Sequence, residues 1–320
     1  MRLAIFVVLL FHGNTLLAAE PPAKSTGDNS FPETTPALGE RRWIHGSSDC
    51  SANTDPAIDV FAYDKSTYIL RQNKCLTFEA PFIYILIGEN KTLVLDTGAI
   101  EDHNDAPLYK AIDSILKHGA PDVKELLVIH THSHGDHYSG DAQFLEKSHV
   151  FLVRPSGVDV MSFFGFKDWP NGEARIELGG RALLVIPTPG HQEEAITIYD
   201  PQTKWLLTGD TLYPGYIYVK NWEDYKNSIA RLVRFSESNE VVALLGSHIE
   251  MTREPGRHYP IGTTFQPNEA ALDLAPDSLR ELNAKLFESK EEELIFDEFI
   301  VAPMNFFQKT LSDIARWITQ

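Results

Sequence analysis

The chain has 320 residues, 43% of them hydrophobic and 11% aromatic, with two cysteines and a formal net charge of −17 at pH 7. This is enough apolar material for a full core, in one large domain or two. The acidity argues against a nucleic-acid partner, because phosphate backbones bind basic surfaces.

The first residues have the order of a secretory signal. Met1-Arg2 gives a positive start, Leu3 to Phe11 is apolar without a break, and Ala18-Ala19 precedes Glu20-Pro21-Pro22. A signal peptide over residues 1–19 and export to a periplasmic or secreted location follow as expectations. The apolar run is too short to span a bilayer of roughly 30 Å, and no later segment approaches that length, so no stable membrane insertion is expected. Residues 20–42, rich in Pro, Ser, Thr and Gly, read as a flexible leader. One domain is expected over residues 43–320. In an oxidising compartment Cys50 and Cys75 are most simply one disulfide, with two buried thiols as the alternative. Neither has the spacing of a metal ligand.

From Ala57 onward strands dominate. "IDVFAYDKSTYILRQ" and "FIYILIGENKTLVLDTG" contain apolar runs, with a hairpin turn at Gly88 to Lys91. Ala106 to Gly119 carries apolar residues at helical spacing and ends on glycine, which predicts a surface helix. Glu125 to Ile129 is a buried strand, and "VFLV", "ALLVIP", "ITIYD", "KWLLTGD" and "VVALLGSH" follow as further strands. "NWEDYKNSIARLVRF" is a helix, and two more are expected over about Pro276 to Lys290 and Pro303 to Thr319. Strands in both halves with helices between them indicate a layered α/β fold.

The run "IHTHSHGDH" (Ile129 to His137) ends an apolar strand with four histidines and an aspartate. His132, His134, Asp136 and His137 form H-x-H-x-D-H. If the strand persists, His132 and His134 point the same way, and a turn at Gly135 swings Asp136 and His137 beside them. Imidazoles converging with a carboxylate suit a pair of divalent cations; nitrogen and oxygen ligands favour zinc, with iron or manganese as alternatives. The bland reading, a solvated histidine-rich loop, fits this spacing at a strand end poorly. His191 in "PTPGH", Asp210 in "WLLTGD" and His248 in "ALLGSH" each follow an apolar strand and a glycine-bearing turn.

"THSHGDH", "PGH", "TGD" and "GSH", in this order and at intervals of 54, 19 and 38 residues (137 to 191, 191 to 210, 210 to 248), resemble the metallo-β-lactamase superfamily. "LVLDTG", containing Asp96, resembles its first motif, and the likeness runs over about residues 57 to 250. The resemblance implies an αββα four-layer sandwich with C-terminal helices and metals at one edge. It implies that His132, His134 and His191 hold one metal, that Asp136, His137 and His248 hold a second, and that Asp210 bridges both. Asp96 then orients a ligand histidine rather than binding metal. His130, His45, His103, His118 and His149 have no counterpart in the pattern and read as ordinary hydrogen-bonded residues.

Two cations roughly 3.5–4 Å apart share a water and lower its pKa until hydroxide exists at neutral pH; Asp136 is placed to move the proton. The expected function is an exported dinuclear-metal hydrolase that opens a small-molecule ester, thioester, lactone or lactam with a metal-bridging hydroxide. The Asp at position 210 resembles the glyoxalase II and lactonase branches rather than the exported zinc β-lactamases, which carry Cys or Ser there. Tyr213, Tyr216, Tyr218, Arg253, His258 and Tyr259 are candidates to line the substrate pocket, an equally ordinary reading of each tyrosine being packing. Two rivals remain: an iron persulfide dioxygenase with two His and one Asp as ligands, and a non-catalytic binding module stabilised by its metals.

Overall fold

The computed structural model describes residues 38–120 and 125–319. The expected signal peptide, and the expected leader as far as residue 37, lie outside the described residues. The rest of that leader is part of the folded body. Leu38–Glu40 forms a single 3-10 turn with Leu38 buried, and Arg41 pairs with Asp59 at 2.9 Å. The boundary at Trp43 is therefore five residues late, because Leu38 has a place in the core and Arg41 a carboxylate.

Two six-stranded sheets follow. The first contains β1 (Ile58–Asp64), β2 (Thr67–Gln72), β3 (Phe82–Ile87), β4 (Lys91–Leu95), β5 (Glu125–Ile129) and β6 (Val150–Leu152), in that spatial order. The second contains β7 (Ala174–Glu177), β8 (Ala182–Pro187), β9 (Ile196–Asp200), β10 (Trp205–Gly209), β12 (Ala243–Gly246) and β13 (Asp273–Leu274), ordered β13-β12-β10-β9-β8-β7. A small third sheet pairs β11 (Tyr216–Val219) with β15 (Ile300–Pro303) and β14 (Leu294–Ile295). The helices are α1 (Leu108–Gly119), α2 (Gly135–Tyr138), α3 (Gly157–Phe164), α4 (Trp222–Ser238), α5 (Asp277–Glu288) and α6 (Phe306–Thr319). Among the described residues no helix is long and apolar enough to cross a membrane.

Period-two alternation explains the layering. Tyr84, Leu86, Leu93, Leu95 and Leu127 from the first sheet meet Val185, Ile198, Trp205, Leu207 and Leu245 from the second in one buried cluster. The alternate residues face outward. Leu70, Ile85, Val94 and Val128 pack under Leu108 and Ile112 of α1, while Leu206 and Leu244 pack under α4 and α5. The result is helix, sheet, sheet, helix: the αββα sandwich of the metallo-β-lactamase fold. Each of these fully buried aliphatic side chains contributes roughly 1.5–3 kcal/mol.

Polar groups stitch the sheets together at both edges. At one edge Arg181, just before β8, donates to Asp200 through Nε (3.1 Å) and Nη2 (2.5 Å). Its Nη1 donates to Ser66 O in the turn before β2 (2.8 Å), and Nη2 also donates to Thr67 Oγ1 of the first sheet (3.0 Å). Both side chains of the pair are at most 2% exposed. Burial alone would raise the Asp200 pKa, but the bonds from Arg181 and Thr203 hold it below 3.8.

Replacing Asp200 by Asn should therefore cost about 3–5 kcal/mol in urea unfolding, because it strands a buried guanidinium. Glu240→Gln, which breaks the exposed pair with Lys204, should cost no more than about 1 kcal/mol. The Asp200 contribution is complete above its ordinary carboxylate pKa and is lost as pH falls through the lowered one, so the gap between wild type and D200N should narrow on acidification. Equal losses for the two variants would show that the Arg181–Asp200 pair carries no special weight.

Candidate metal centre

At the opposite edge the carboxyl ends of five strands come together. β4 runs parallel to β5 and β10 parallel to β12, while β8 and β10 are both antiparallel to β9. Such an edge is where open α/β sheets bind ligands. β4 ends into Asp96, β5 into the histidine-rich loop, β8 into His191, β10 into Asp210 and β12 into His248.

The strand ends at Ile129, where it was expected to end; it does not persist through His132 and His134, so strand alternation does not aim them. The loop does it instead, with His134 preceding the single turn of α2. Its backbone is pinned from three sides. Thr131 N donates to Asp96 Oδ1 (2.7 Å), Ile196 N donates to Thr131 O (2.9 Å), and Ser133 N donates to Glu194 Oε1 (3.0 Å). Two glycines allow the close approaches. Gly209 has φ +53° and a Cβ there would lie 2.6 Å from Thr131 Cβ; Gly190 has φ +146° and a Cβ would lie 2.5 Å from Tyr225 Cα. The latter lets the first turns of α4 press on the turn that presents His191, where Ser228 Oγ also donates to Pro189 O (2.7 Å).

The seven expected ligands meet in two groups that share one carboxylate. His132, His134, His191 and Asp210 offer ligand atoms all within 4.8 Å of one another, and so do Asp136, His137, Asp210 and His248. Asp210 Oδ2 lies 3.6 Å from both His137 Nε2 and His191 Nε2, and Oδ1 lies 3.5 Å from His248 Nε2. Asp136 Oδ2 is 3.2 Å from His248 Nε2 and 3.3 Å from His137 Nε2.

The outer nitrogens are tied down so that the inner ones face the cluster. His137 Nδ1 bonds Asp96 Oδ2 (2.9 Å), His191 Nδ1 bonds Tyr218 O (2.7 Å) and His248 Nδ1 bonds Glu79 O (3.0 Å). Partners of this kind fix the ring and tautomer of ligating histidines. His134 is turned the other way. Its Nε2 meets Gln192 Nε2 at 2.6 Å, and its Nδ1 lies 3.0 Å from both His132 Nε2 and His191 Nε2. His137 Nε2 and Asp210 Oδ1 are buried without a hydrogen-bond partner among the described residues. Inward imidazole nitrogens and carboxylate oxygens left unpaired at one point are the donor set of borderline divalent cations; the residues fit such ions.

The two groups differ electrostatically. Burial, reinforced by neighbouring imidazoles, pushes His132 well below its ordinary pKa and His134 to about 3. Burial also lowers His191, against the pull of Asp210. In the other group burial is outweighed by the carboxylates. Asp210 and Asp136 raise His248 to about 9, and Asp136, Asp210 and Asp96 raise His137 well above its usual value. In return, imidazolium charge holds Asp136 and Asp210 below the carboxylate range despite their burial.

Asp96 does not join either ligand group. It is fully buried at φ +68°, a left-handed backbone that Asp tolerates better than most residues. Besides His137 and Thr131 N it accepts from Thr131 Oγ1 (2.9 Å). His130 bonds Val153 O and Asp141, and His45, His118 and His149 bond neighbouring groups. Cys50 and Cys75 form a disulfide with Cα atoms 5.1 Å apart.

The six pocket candidates separate. Tyr213 is buried, with its ring 5.5 Å from that of His248 and its hydroxyl on Glu250 Oε2 and Tyr216 O. Tyr218 touches the cluster through its carbonyl, and its ring lies 4.9 Å from that of Tyr216, which in turn lies 5.1 Å from that of His258. Arg253 and Tyr259 are engaged elsewhere, with Glu269 O and Asn268 N respectively. Sequence reasoning missed Gln192 and Glu194, which brace His134 and Ser133. The helix expected near the end is present as α6, but its contact with this region was not foreseen: Ser312 accepts from Gln192 Nε2 (2.9 Å) and Asp313 pairs with Lys220 (2.6 Å). The position of Gln192 and Glu194, directly after the "PGH" turn, was the one signal available.

The family model of the metallo-β-lactamase superfamily matches residues 76–248, ending on the last histidine of the cluster. The chain belongs to that superfamily. Among its relatives is a hydroxyacylglutathione hydrolase of Bartonella tribocorum, 25% identical over 184 residues, covering 57% of this chain and 69% of that protein. The acyl-coenzyme A thioesterase MBLAC2 of Gallus gallus is 27% identical over 205 residues, covering 53% of this chain and 72% of that protein. Among solved structures, a metallo-β-lactamase from Pontibacter korlensis aligns with a TM-score of 0.48 at 17% identity, covering 72% of this chain and all of the other.

Asp96→Asn should keep the fold and lower divalent-metal affinity about 10–100-fold, since it removes the acceptor that orients His137. Competition with a chromogenic chelator measures this, and wild-type affinity in D96N would reduce Asp96 to a purely architectural residue.

Proposed function

We propose that this chain is an exported hydrolase of small-molecule thioesters or related acyl bonds (esters, lactones, lactams) that works with two divalent metals, zinc first among them. The observation that carries the reading is the pair of ligand groups sharing Asp210. His132, His134 and His191 would hold one ion, Asp136, His137 and His248 the other, with Asp210 common to both. Bound there, the two cations would act as Lewis acids on a carbonyl oxygen and on water, bringing hydroxide within reach at neutral pH.

The protein's own groups do the rest. Lowered pKa values keep His132, His134 and His191 neutral, the form in which imidazole ligates. Asp136, ionised and at the partly open side of the cluster (19% exposed), accepts the proton of the attacking water and returns it to the departing thiolate or alkoxide. Asp96, Gln192, and the carbonyls of Tyr218 and Glu79 hold the rings in place. The names of the two relatives both denote thioester cleavage, which supports ranking that bond first. Seven ligands in two groups favour two ions over the single iron of a dioxygenase. Export is supported by the apolar N-terminal sequence and by the Cys50–Cys75 disulfide, a bond of oxidising compartments.

Metal analysis of the purified protein should give close to two equivalents per chain. Chelator should abolish hydrolysis of an acyl thioester and zinc should restore it, while Asp136→Asn, reloaded with zinc to two equivalents, should still lower kcat about 10²–10⁴-fold. Chelator-resistant turnover would remove the mechanism. A single iron, with oxygen uptake on a persulfide, would replace it with the dioxygenase reading.

A further inference from the structure

A second cavity, about 270 Å³, lies between the N-terminal segment and the chain that follows His248. It is lined by Arg41, Arg42, Trp43, His45, Arg253 and the 266–270 segment. None of the seven clustered residues lines it. Its walls are held firmly. Arg71 of β2, fully buried, donates through Nη1 (2.7 Å) and Nη2 (2.6 Å) to Glu269 and through Nη1 to Ile44 O (2.9 Å). Gln266 N donates to His45 O (2.9 Å). Arg41 bonds Asp59 (2.9 and 3.0 Å) with its guanidinium 5.2 Å from the ring centroids of Trp43 and Phe61.

The charges around this cavity do not cancel. Glu269 is taken up by Arg71, and Asp59, beside the wall, by Arg41. Arg42 meets only His45 Nε2 at 3.5 Å, and Arg253 only the carbonyl of Glu269. Neither of these arginines has a carboxylate within ion-pair distance among the described residues. Two guanidinium groups with no carboxylate partner among the described residues thus line one cavity on a chain whose net charge is −17. Two buried donors on residues of the same wall, Trp43 Nε1 and Arg41 Nε, have no acceptor among the described residues, and Trp43 is only 3% exposed. Buried N–H groups rarely stay unpaired. The Gln266 amide is buried beside them with its oxygen unpartnered, and a side-chain amide can turn either end to a ligand.

We propose that this cavity binds the oxyanion of a small molecule, a phosphate or a carboxylate, gripped by Arg42 and Arg253 and satisfied from below by the Trp43 indole N–H. The planar guanidinium fork suits both oxyanions. The bound group joins segment 38–45 to the loop that follows His248, and so stabilises the folded chain in proportion to its occupancy.

The test uses the metal-loaded protein with inorganic phosphate and succinate as probes, read by calorimetric titration and by thermal melting at constant ionic strength. At least one probe should bind and raise the wild-type midpoint, and the tighter of the two identifies the oxyanion. Arg42 and Arg253 are exposed, so the double variant R42Q/R253Q should fold; it should bind that probe at least tenfold more weakly and lose the midpoint shift. Trp43→Phe, which keeps a ring but drops the N–H, should weaken binding severalfold. An oxyanion that enters the metal cluster instead would bind wild type and R42Q/R253Q alike. That result, or no binding of either probe, overturns the proposal.

Discussion

One buried carboxylate holds this edge of the sandwich together. Asp96 follows β4 of the first sheet, takes the backbone and hydroxyl of Thr131 after β5, and fixes the ring of His137. It also lies 3.4 Å from Ser247 Oγ, which follows β12 of the second sheet. Around it Phe82 N donates to Ser247 O and Tyr84 OH to Gly246 O, each bond crossing from one sheet to the other. A carboxylate in such a place must be satisfied on nearly every lone pair, and this requirement shapes the loop that carries His132 to His137 and the turn before His248.

The cluster places five imidazoles and two carboxylates where water is scarce. Buried charge of one sign would be prohibitive, and the arrangement avoids it by segregation: neutral rings on the β8 side, ring–carboxylate pairs on the β12 side. Divalent cations bound there would take over the charge that the imidazolium protons of His137 and His248 carry, and the acidity of the whole chain raises the local concentration of cations around it. The second cavity is the local exception to that field, and its distinct charge follows from how the carboxylates nearby are already spoken for.

Much of this was legible from sequence because apolar strands ending in glycine, histidine and aspartate impose both a place and a chemistry. The apolar runs marked most of the strands, while the two-sheet sandwich came from the resemblance, whose ordered motifs also named the seven residues that cluster and Asp96. What stayed hidden depended on contacts between distant segments. Nothing local marks Glu194 as the acceptor of Ser133 N, or Gln192 as the brace of His134. The strand end at Ile129 was legible, but whether the ladder persisted through His132 and His134 was not, because apolar periodicity does not say how a loop beyond the last partner is aimed. α3 and the third sheet escaped because their elements are short, eight residues at most. Arg253 was placed near the cluster by its closeness to His248 in the chain; it lines the other cavity, since the loop carries it away to Glu269.

The contacts of α6 give the tail of the chain an unexpected sensitivity. Ser312 and Asp313 are adjacent, and they engage Gln192 and Lys220 on either side of the His191 turn. Inserting or deleting one residue early in that helix would rotate both by about 100°, unhooking the brace of His134 without touching a single ligand. Length variation near the end of the sequence is thus read out at the centre, as a change of alignment rather than of composition.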